Sequence, residues 1–480
     1  MKKAILILII INSYSILRAT NFENSIVKIY SAKQEFDYNE PWKRGKVKNG
    51  SATGFIIEGG RILTNAHAVS NSKYIQVRFN NTQERIPVSL EFISDDYDLA
   101  ILKFNDDFKT NNLVPLKFGN LPKVREKVSV YGYPLGGDRL SITQGIISRI
   151  QQYKYVHSQQ NYTVLQTDAA INSGNSGGPV IIDGLVIGVA FQGIKKADNI
   201  GYIIPVHIIN HFIKDIKDGS YEGIPSLGLR WSKMESKIHR RMLGMKPNQS
   251  GVLVNNILPN SSLPGLFRID DVLLSVNNYE IGVNGSIEFR VGERIGYEYI
   301  LENLNFGDEV SIRFLRNKKV FEKKVIIKKP IKESIVTPFK SSESPMYYIT
   351  SGFIFEKLSV NYLNKYRKSF FTIKNTPYQL LSYVEKPPLD VEEIIFIVSV
   401  LPDESNMGYQ EIKNLRIERI NGKKVINFNS FVVEIKNGGF IVLESTEGQK
   451  IVIDGDFAKE RDKVIMENYN ISKQSSQKNW

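Results

Sequence analysis

The sequence predicts a mainly β protein of several domains, and three observations carry that prediction. Short apolar runs alternate with turn signals rather than recurring at helical spacing. Gly54–Ile57 is followed by Glu58-Gly59-Gly60-Arg61 and then by Ile62–Asn65, the pattern of a hairpin. Pro179–Val189 repeats the theme as strand, Asp183-Gly184 turn and strand. Finally, a chain of 480 residues exceeds what one hydrophobic core accommodates, so about two to four domains are expected.

Composition removes several function classes. Hydrophobic residues make up 42 % of the chain, which is ordinary for a globular protein. Cysteine is absent, so a thiol nucleophile, disulfides and thiolate metal sites are excluded together. The formal charge is +13, and Lys2, Lys3 and Arg18 lie near the start. The one basic run, Lys323–Lys332, alternates with Val, Ile and Pro. It reads as a solvated strand edge and linker, not as a nucleic-acid patch, which would cluster Lys and Arg with stacking aromatics. No metal-ligand cluster, phosphate loop or nucleotide fingerprint is recognisable, and no cofactor is expected. Lys2-Lys3 followed by the apolar run Ala4–Ile11 describes a secretory signal peptide, assigned to residues 1–19. The run is short for a membrane span, so cleavage is preferred over an uncleaved anchor, and the protein is expected to be periplasmic, secreted or at the cell surface.

Chemistry concentrates in Asn172-Ser173-Gly174-Asn175-Ser176-Gly177-Gly178-Pro179. Glycines on both sides of Ser176 permit close backbone approach. The amides of Gly174 and Ser176 are candidates to hold the oxyanion of an acyl-transfer intermediate. A serine hydroxyl needs a base. Of the five histidines, only His67, within Ala66-His67-Ala68-Val69, stands at a strand end before the serine. Asp98 abuts the apolar strand Leu99–Leu102, while Asp95 and Asp96 read as turn residues. A carboxylate there would fix the tautomer of His67 and stabilise its imidazolium. Each motif alone also reads as an ordinary turn or a structural histidine. Their order, His67, Asp98, Ser176, is that of the chymotrypsin-like double barrel and not that of subtilisins or α/β-hydrolases.

The residues around all three positions resemble the HtrA/Deg serine proteases: Thr64–Val69, Asp96–Ala100 and Gly174–Gly178, with Val130–Gly136, Gln144–Ser148, Gln166–Asn172 and Gly201–Pro205 between and after them. The resemblance implies a trypsin-like double β-barrel over residues 24–215, catalytic residues in the cleft between the barrels, and ATP-independent proteolysis of unfolded or damaged proteins. It also implies assembly from trimers. In such folds the residue six positions before the nucleophile lies near the floor of the specificity pocket. Here it is Ala170, with Ala190, Phe191 and Gln192 as candidate wall residues. With no acid to pair Lys or Arg, cleavage after small or medium apolar residues is expected. Asp168 reads as a structural acid.

Two further regions resemble PDZ domains, at 222–330 and 345–470, which gives a fold class of double β-barrel followed by two PDZ-like α+β domains. In the first, Leu227-Gly228-Leu229 fits the loop whose amides receive a peptide C-terminus. Asp270 and Asn278 stand where the family uses Gly. Leu243–Pro247 and Phe289–Tyr299 are similar to the plant-type Deg branch, and Phe289–Ile295 is expected to be a packing element. The second is expected to be degenerate, without a carboxylate loop, and Ile412–Gly422 repeats the shape of Asp271–Asn278. Pro330–Pro345 reads as a linker and Ser472–Trp480 as a mobile tail. The alternative to a protease is a proteolytically silent chaperone or adhesin-like peptide-binding protein that kept the fold.

Overall fold

The computed structural model describes residues 23–80, 82–105, 108–134, 137–155, 161–193, 200–330, 334–367 and 377–477. The expected signal peptide therefore lies outside the described residues. Among the described residues no helix is long and apolar enough to cross a membrane. The chain divides into two units. Among the described residues, the first lies within 23–33, 47–257 and 261–329, and the second within 34–46, 258–260 and 330–477.

The first unit opens with strands β1 (Ile26–Lys33), β2 (Lys48–Ile57), β3 (Arg61–Thr64), β4 (Ser72–Phe79), β5 (Ile86–Ser94) and β6 (Leu99–Phe104). They close into a barrel in the order β1-β2-β3-β6-β5-β4. Closure leaves no free edge, so every strand pairs on both sides. The predicted β2–β3 hairpin pairs Ile57 with Arg61, and Gly59 and Gly60 take φ of 80° and 68°, which residues with a side chain adopt only at a cost. A second barrel uses β7 (Lys127–Gly132), β8 (Ser141–Lys154), β9 (Asn161–Thr167), β10 (Pro179–Ile182), β11 (Leu185–Gly193) and β12 (Gly201–Pro205), in the order β10-β11-β12-β9-β8-β7. Asp183 and Gly184 form the predicted turn, both at positive φ, so β10 and β11 pair from Ile182–Leu185 outward. Phe55, Leu63 and Leu99 of the first barrel share a core with Tyr133, Tyr162 and Phe191 of the second. The expected double β-barrel is thus present.

The same unit continues into a sheet ordered β13 (Leu229–Lys233), β14 (Val252–Ile257), β15 (Val272–Val276), β19 (Glu309–Arg316), β20 (Lys319–Ile326), with β16 (Tyr279–Glu280) on β15. Its core is continuous with that of the second barrel: Val130, Ile147 and Val180 belong to one cluster with Val252, Val276 and Ile312. Buried Glu302 ties the two together. Its carboxylate accepts from Gln152 Nε2 (3.1 Å) and Thr163 N (2.8 Å) and lies 2.9 Å from His207 Nε2. Phe289–Ile295 spans a hairpin of β17 (Ser286–Arg290) and β18 (Glu293–Gly296), and Arg290 donates to the carbonyls of Pro122 and Leu121, both at 2.7 Å. Asp270 and Asn278 adopt φ of 71° and 64°. Asp and Asn tolerate this region best after glycine, which is why they can stand at these turns.

The second unit carries a sheet ordered β21 (Tyr347–Thr350), β22 (Phe353–Lys357), β23 (Ile395–Val400), β24 (Leu415–Ile420), β26 (Phe440–Ser445), β27 (Lys450–Asp454), with β25 (Lys423–Lys424) on β24. The internal repeat is visible bond by bond. Asn277 exchanges bonds with Ser311, N to O at 2.8 Å and Oδ1 from N at 2.9 Å. Asn421 does the same with Val442, both at 2.8 Å.

Two expectations about connecting segments are corrected. The stretch read as a linker buries Ile335 and Val336 in the unit's own core, and Thr337 bridges Ser359. The stretch read as a mobile tail is paired through residue 477: Ser475 bridges Tyr348, and Ile349 N donates to Gln474 O (3.0 Å). Apolar burial and an available strand edge outweigh the polar composition that suggested mobility. At the Ser351-Gly352 turn, the buried Asp462 carboxylate accepts from Ser351 N (2.6 Å), Thr350 Oγ1 (3.0 Å) and Gln474 Nε2 (2.8 Å). Burial nonetheless raises its pKa to about 6.

This packing is testable at two points. An added Cβ at Gly177 (φ 86°) would lie 2.1 Å from Thr53 O and 2.2 Å from Thr64 Oγ1, whereas at Gly184 (φ 80°) it would meet nothing within 4 Å. Gly177→Ala should lower thermal stability by more than about 2 kcal/mol, and Gly184→Ala by only about 1 kcal/mol. Asp462 keeps its proton in the folded state at pH values where the unfolded chain has lost it. Stability of the second unit should therefore fall as pH rises from about 4 to about 6, by about 3 kcal/mol at most. Urea unfolding of Asp462→Asn should lack that component of the slope.

Candidate active site

The serine loop is a tight turn held by its own backbone. Asn175 N donates to Asn172 O and Gly178 N to Asn175 O, both at 2.9 Å, and Gly177 N donates to Ala190 O at 2.8 Å. Gly174 and Gly177 take φ of 101° and 86°. Among the described residues, the amides of Gly174 and Ser176 donate to no protein group, while those of Asn175, Gly177 and Gly178 are engaged.

The loop belongs to the second barrel, yet the first barrel grips it. Buried Thr53 on β2 donates its N–H to Ser176 O (2.9 Å) and its hydroxyl to Gly174 O (2.7 Å). The same Oγ1 accepts from Tyr133 N (2.9 Å) at the end of β7. Thr64, the last residue of β3, donates to Thr53 O at 2.7 Å. Thr53 did not stand out in the sequence, and Thr64 entered only as the first residue of the histidine motif. Their only signal is a small β-branched hydroxyl residue just before each glycine or histidine motif, which is too common to be diagnostic.

Three residues past Thr64, His67 sits in a single helical turn, Ala66–Val69. Its Nδ1 lies 2.6 Å from Asp98 Oδ2, and its backbone N–H donates to Asp98 Oδ1 at 2.8 Å. Asp98 is 1 % exposed and takes φ of 57°. Its carbonyl accepts from Ala66 N (3.0 Å) and Asn65 Nδ2 (2.9 Å). Side chain and backbone of Asp98 thus both clasp the histidine turn, so the left-handed backbone aims the carboxylate under the ring. Tyr155, 3 % exposed, packs beside Tyr162 with ring centroids 6.1 Å apart, and burial, with the Asp98 charge second, pushes its hydroxyl well above the usual phenol range. Ser176 Oγ donates to Phe191 O at 3.1 Å.

The other predicted residues are placed as follows. Ala170 is exposed, and its carbonyl accepts from Thr143 Oγ1 at 3.0 Å. Ala190 and Phe191 are buried. The Phe191 ring lies among Tyr155, Tyr162 and Tyr202, with centroids 5.8, 6.5 and 6.2 Å away, so it is the carbonyl of Phe191 that meets Ser176. Gln192 pairs with Tyr202 across β11 and β12. Asp168 accepts from Ile146 N at 2.7 Å, a structural bond. Leu227 is buried, and its carbonyl accepts from Ser261 Oγ (2.7 Å). Gly228 takes φ of 64°, and its N–H donates to Ser226 Oγ (3.1 Å), so that loop amide already has an internal partner. Leu229 begins β13 and pairs with Ile257. No group of three or more potential metal ligands exists among the described residues.

A family profile described as a trypsin-like peptidase domain matches residues 52–189, and one described as a PDZ domain matches residues 336–478. Protease Do-like 4, mitochondrial, of Arabidopsis thaliana is 34 % identical over 93 % of this chain and 84 % of its own length. Protease Do-like 2, chloroplastic, of the same plant is 29 % identical over 95 % and 75 %. Among solved structures, the HtrA-type protease AlgW with tripeptide superposes with a TM-score of 0.51 at 22 % identity, covering 65 % of this chain and 95 % of that one. That likeness speaks for the fold. The match to the first Do-like relative, nearly end to end, carries the assignment: the chain belongs to the Do-like (HtrA/Deg) family and is a serine endopeptidase.

Proposed function

We propose that the protein cleaves unfolded or damaged polypeptides by an acyl-enzyme mechanism, without ATP, using Ser176, His67 and Asp98. The observation that carries this reading is the 2.6 Å contact between His67 Nδ1 and the buried Asp98 carboxylate, on a turn whose preceding strand is bonded through Thr64 to Thr53, the residue that grips the serine loop. Asp98 fixes the imidazole with Nδ1 protonated, leaving Nε2 as the base. Ser176 Oγ exchanges its bond to the Phe191 carbonyl for one to Nε2 and attacks the scissile carbonyl. The oxyanion takes the uncommitted amides of Gly174 and Ser176. His67 then protonates the leaving amine, and water repeats the sequence on the ester.

The absence of an acid at Ala170 supports cleavage after small or medium apolar residues. Peptide recognition by the Leu227-Gly228-Leu229 loop would use the remaining amides and the β13 edge. Assembly from trimers and export of the chain belong to the same reading.

Ser176→Ala should abolish casein degradation and fluorophosphonate labelling without lowering the melting temperature. Asp98→Asn should reduce kcat by about four orders of magnitude, because the wrong tautomer is then favoured. Degradation of casein by Ser176→Ala at the parental rate would refute the nucleophile. With matched fluorogenic peptides, kcat/KM for Val or Ala before the scissile bond should exceed that for Lys or Arg by at least about tenfold. The reverse order would refute the pocket.

A further inference from the structure

Asp98 reaches under His67 only because its backbone is left-handed. At φ of 57° a side chain crowds the neighbouring backbone, so this conformation persists only where surrounding groups hold it. Two donors hold the Asp98 carbonyl: Ala66 N at 3.0 Å and Asn65 Nδ2 at 2.9 Å. The first is a main-chain bond that any residue but proline can make. The second depends on one side chain, that of Asn65, which is 0 % exposed. Asn65 follows β3 directly and Asp98 precedes β6, and these strands pair up to Thr64–Ala100. The side-chain bond therefore carries the β3–β6 connection one step past the ladder, to the histidine turn.

Asn65 also occupies the N-cap position of that turn, where asparagine ordinarily accepts from a backbone N–H of the first helical residues. Here its side chain makes no such bond. The His67 N–H that a cap would meet goes to Asp98 Oδ1 instead, at 2.8 Å. Asp98 has taken the capping role, and Asn65 has turned its amide to the Asp98 carbonyl. Its buried Oδ1 has no partner among the described residues, so the residue is poorly suited to stability alone.

We infer that Asn65 is a positioning residue for proteolysis: its amide fixes the Asp98 carbonyl, and with it the left-handed backbone that aims the Asp98 carboxylate at His67. Carbonyl and carboxylate of Asp98 are then both bound to residues 65–67. Rotation of the Asp98 backbone has to break the Asn65 bond before Oδ2 can leave its place 2.6 Å from Nδ1.

This role presupposes the triad proposed above, and separate variants test the two. Asn65→Leu keeps the size of the side chain and removes the donor. In the full-length protein it should lower kcat for a fluorogenic peptide by about 5–50-fold with KM unchanged, as expected when a group is misaimed rather than lost. The melting temperature should hold or rise, because an unmet buried acceptor leaves with the amide. Ser70→Ala removes another side-chain bond of the same turn, Ser70 Oγ to Ala66 O at 2.5 Å, while Ser70 N still meets that carbonyl at 2.8 Å. It should leave kcat unchanged. In an Asp98→Asn background, Asn65→Leu should cost less than about twofold, because the carboxylate it aims is gone. Should Asn65→Leu lower the melting temperature, the same cycle with Asn65→Ala decides. Parental kcat in the Asn65 variants alongside an inactive Asp98→Asn overturns the inference and leaves the triad standing. Equal losses from Asn65→Leu and Ser70→Ala, or full additivity with Asp98→Asn, overturn it as well. Activity in Ser176→Ala would instead remove the triad itself.

Discussion

Thr53 is the stitch on which the rest depends. The candidate nucleophile and its base come from different barrels, and nothing in the covalent chain fixes one against the other. Thr53, wholly buried on β2, binds the backbone of Ser176 and Gly174 while accepting from Tyr133 and, through its carbonyl, from Thr64. Each bond contributes only about 1 kcal/mol net. Their value is geometric, since together they set the serine loop against the strand that leads to the histidine. Gly177 sits where these strands meet, and the 2.1 Å clearance there explains why the residue after the serine carries no side chain.

How much of this was legible in the sequence follows from the range of the interactions. Turns such as Gly59-Gly60 and Asp183-Gly184 are local, and their residue types announce the backbone they need. The mainly β architecture and the candidate triad were readable for the same reason: each member carries a short motif, and their order selects one topology. The roles of Thr53 and Thr64 were not readable. Their partners lie in other elements, so only the closed barrels bring them together. The linker and tail misled because polar composition reports on exposure and not on pairing. Ile335 and Val336, two apolar residues in a row, were the overlooked sign.

The paired modules share one backbone device although their loops differ. Asn277 and Asn421 make the same double bond to the neighbouring strand in both sheets, and both turns run through left-handed residues. These are requirements of the hairpin and survive sequence divergence. The loops ahead of β13 and β22 differ in what meets their amides. Gly228 keeps a small polar residue, Ser226, at its amide, while the equivalent turn at Ser351-Gly352 meets Asp462.

Asp462 thereby acts as a resident competitor. A peptide terminus seeking the Ser351 amide finds an acid of the same charge and shape already there, tethered to the chain. A tethered competitor acts at an effective concentration of roughly millimolar or more. Any free terminus would have to exceed that and also extract a buried carboxyl. In this module the amide at the turn is thus already committed to a carboxylate that the chain itself carries.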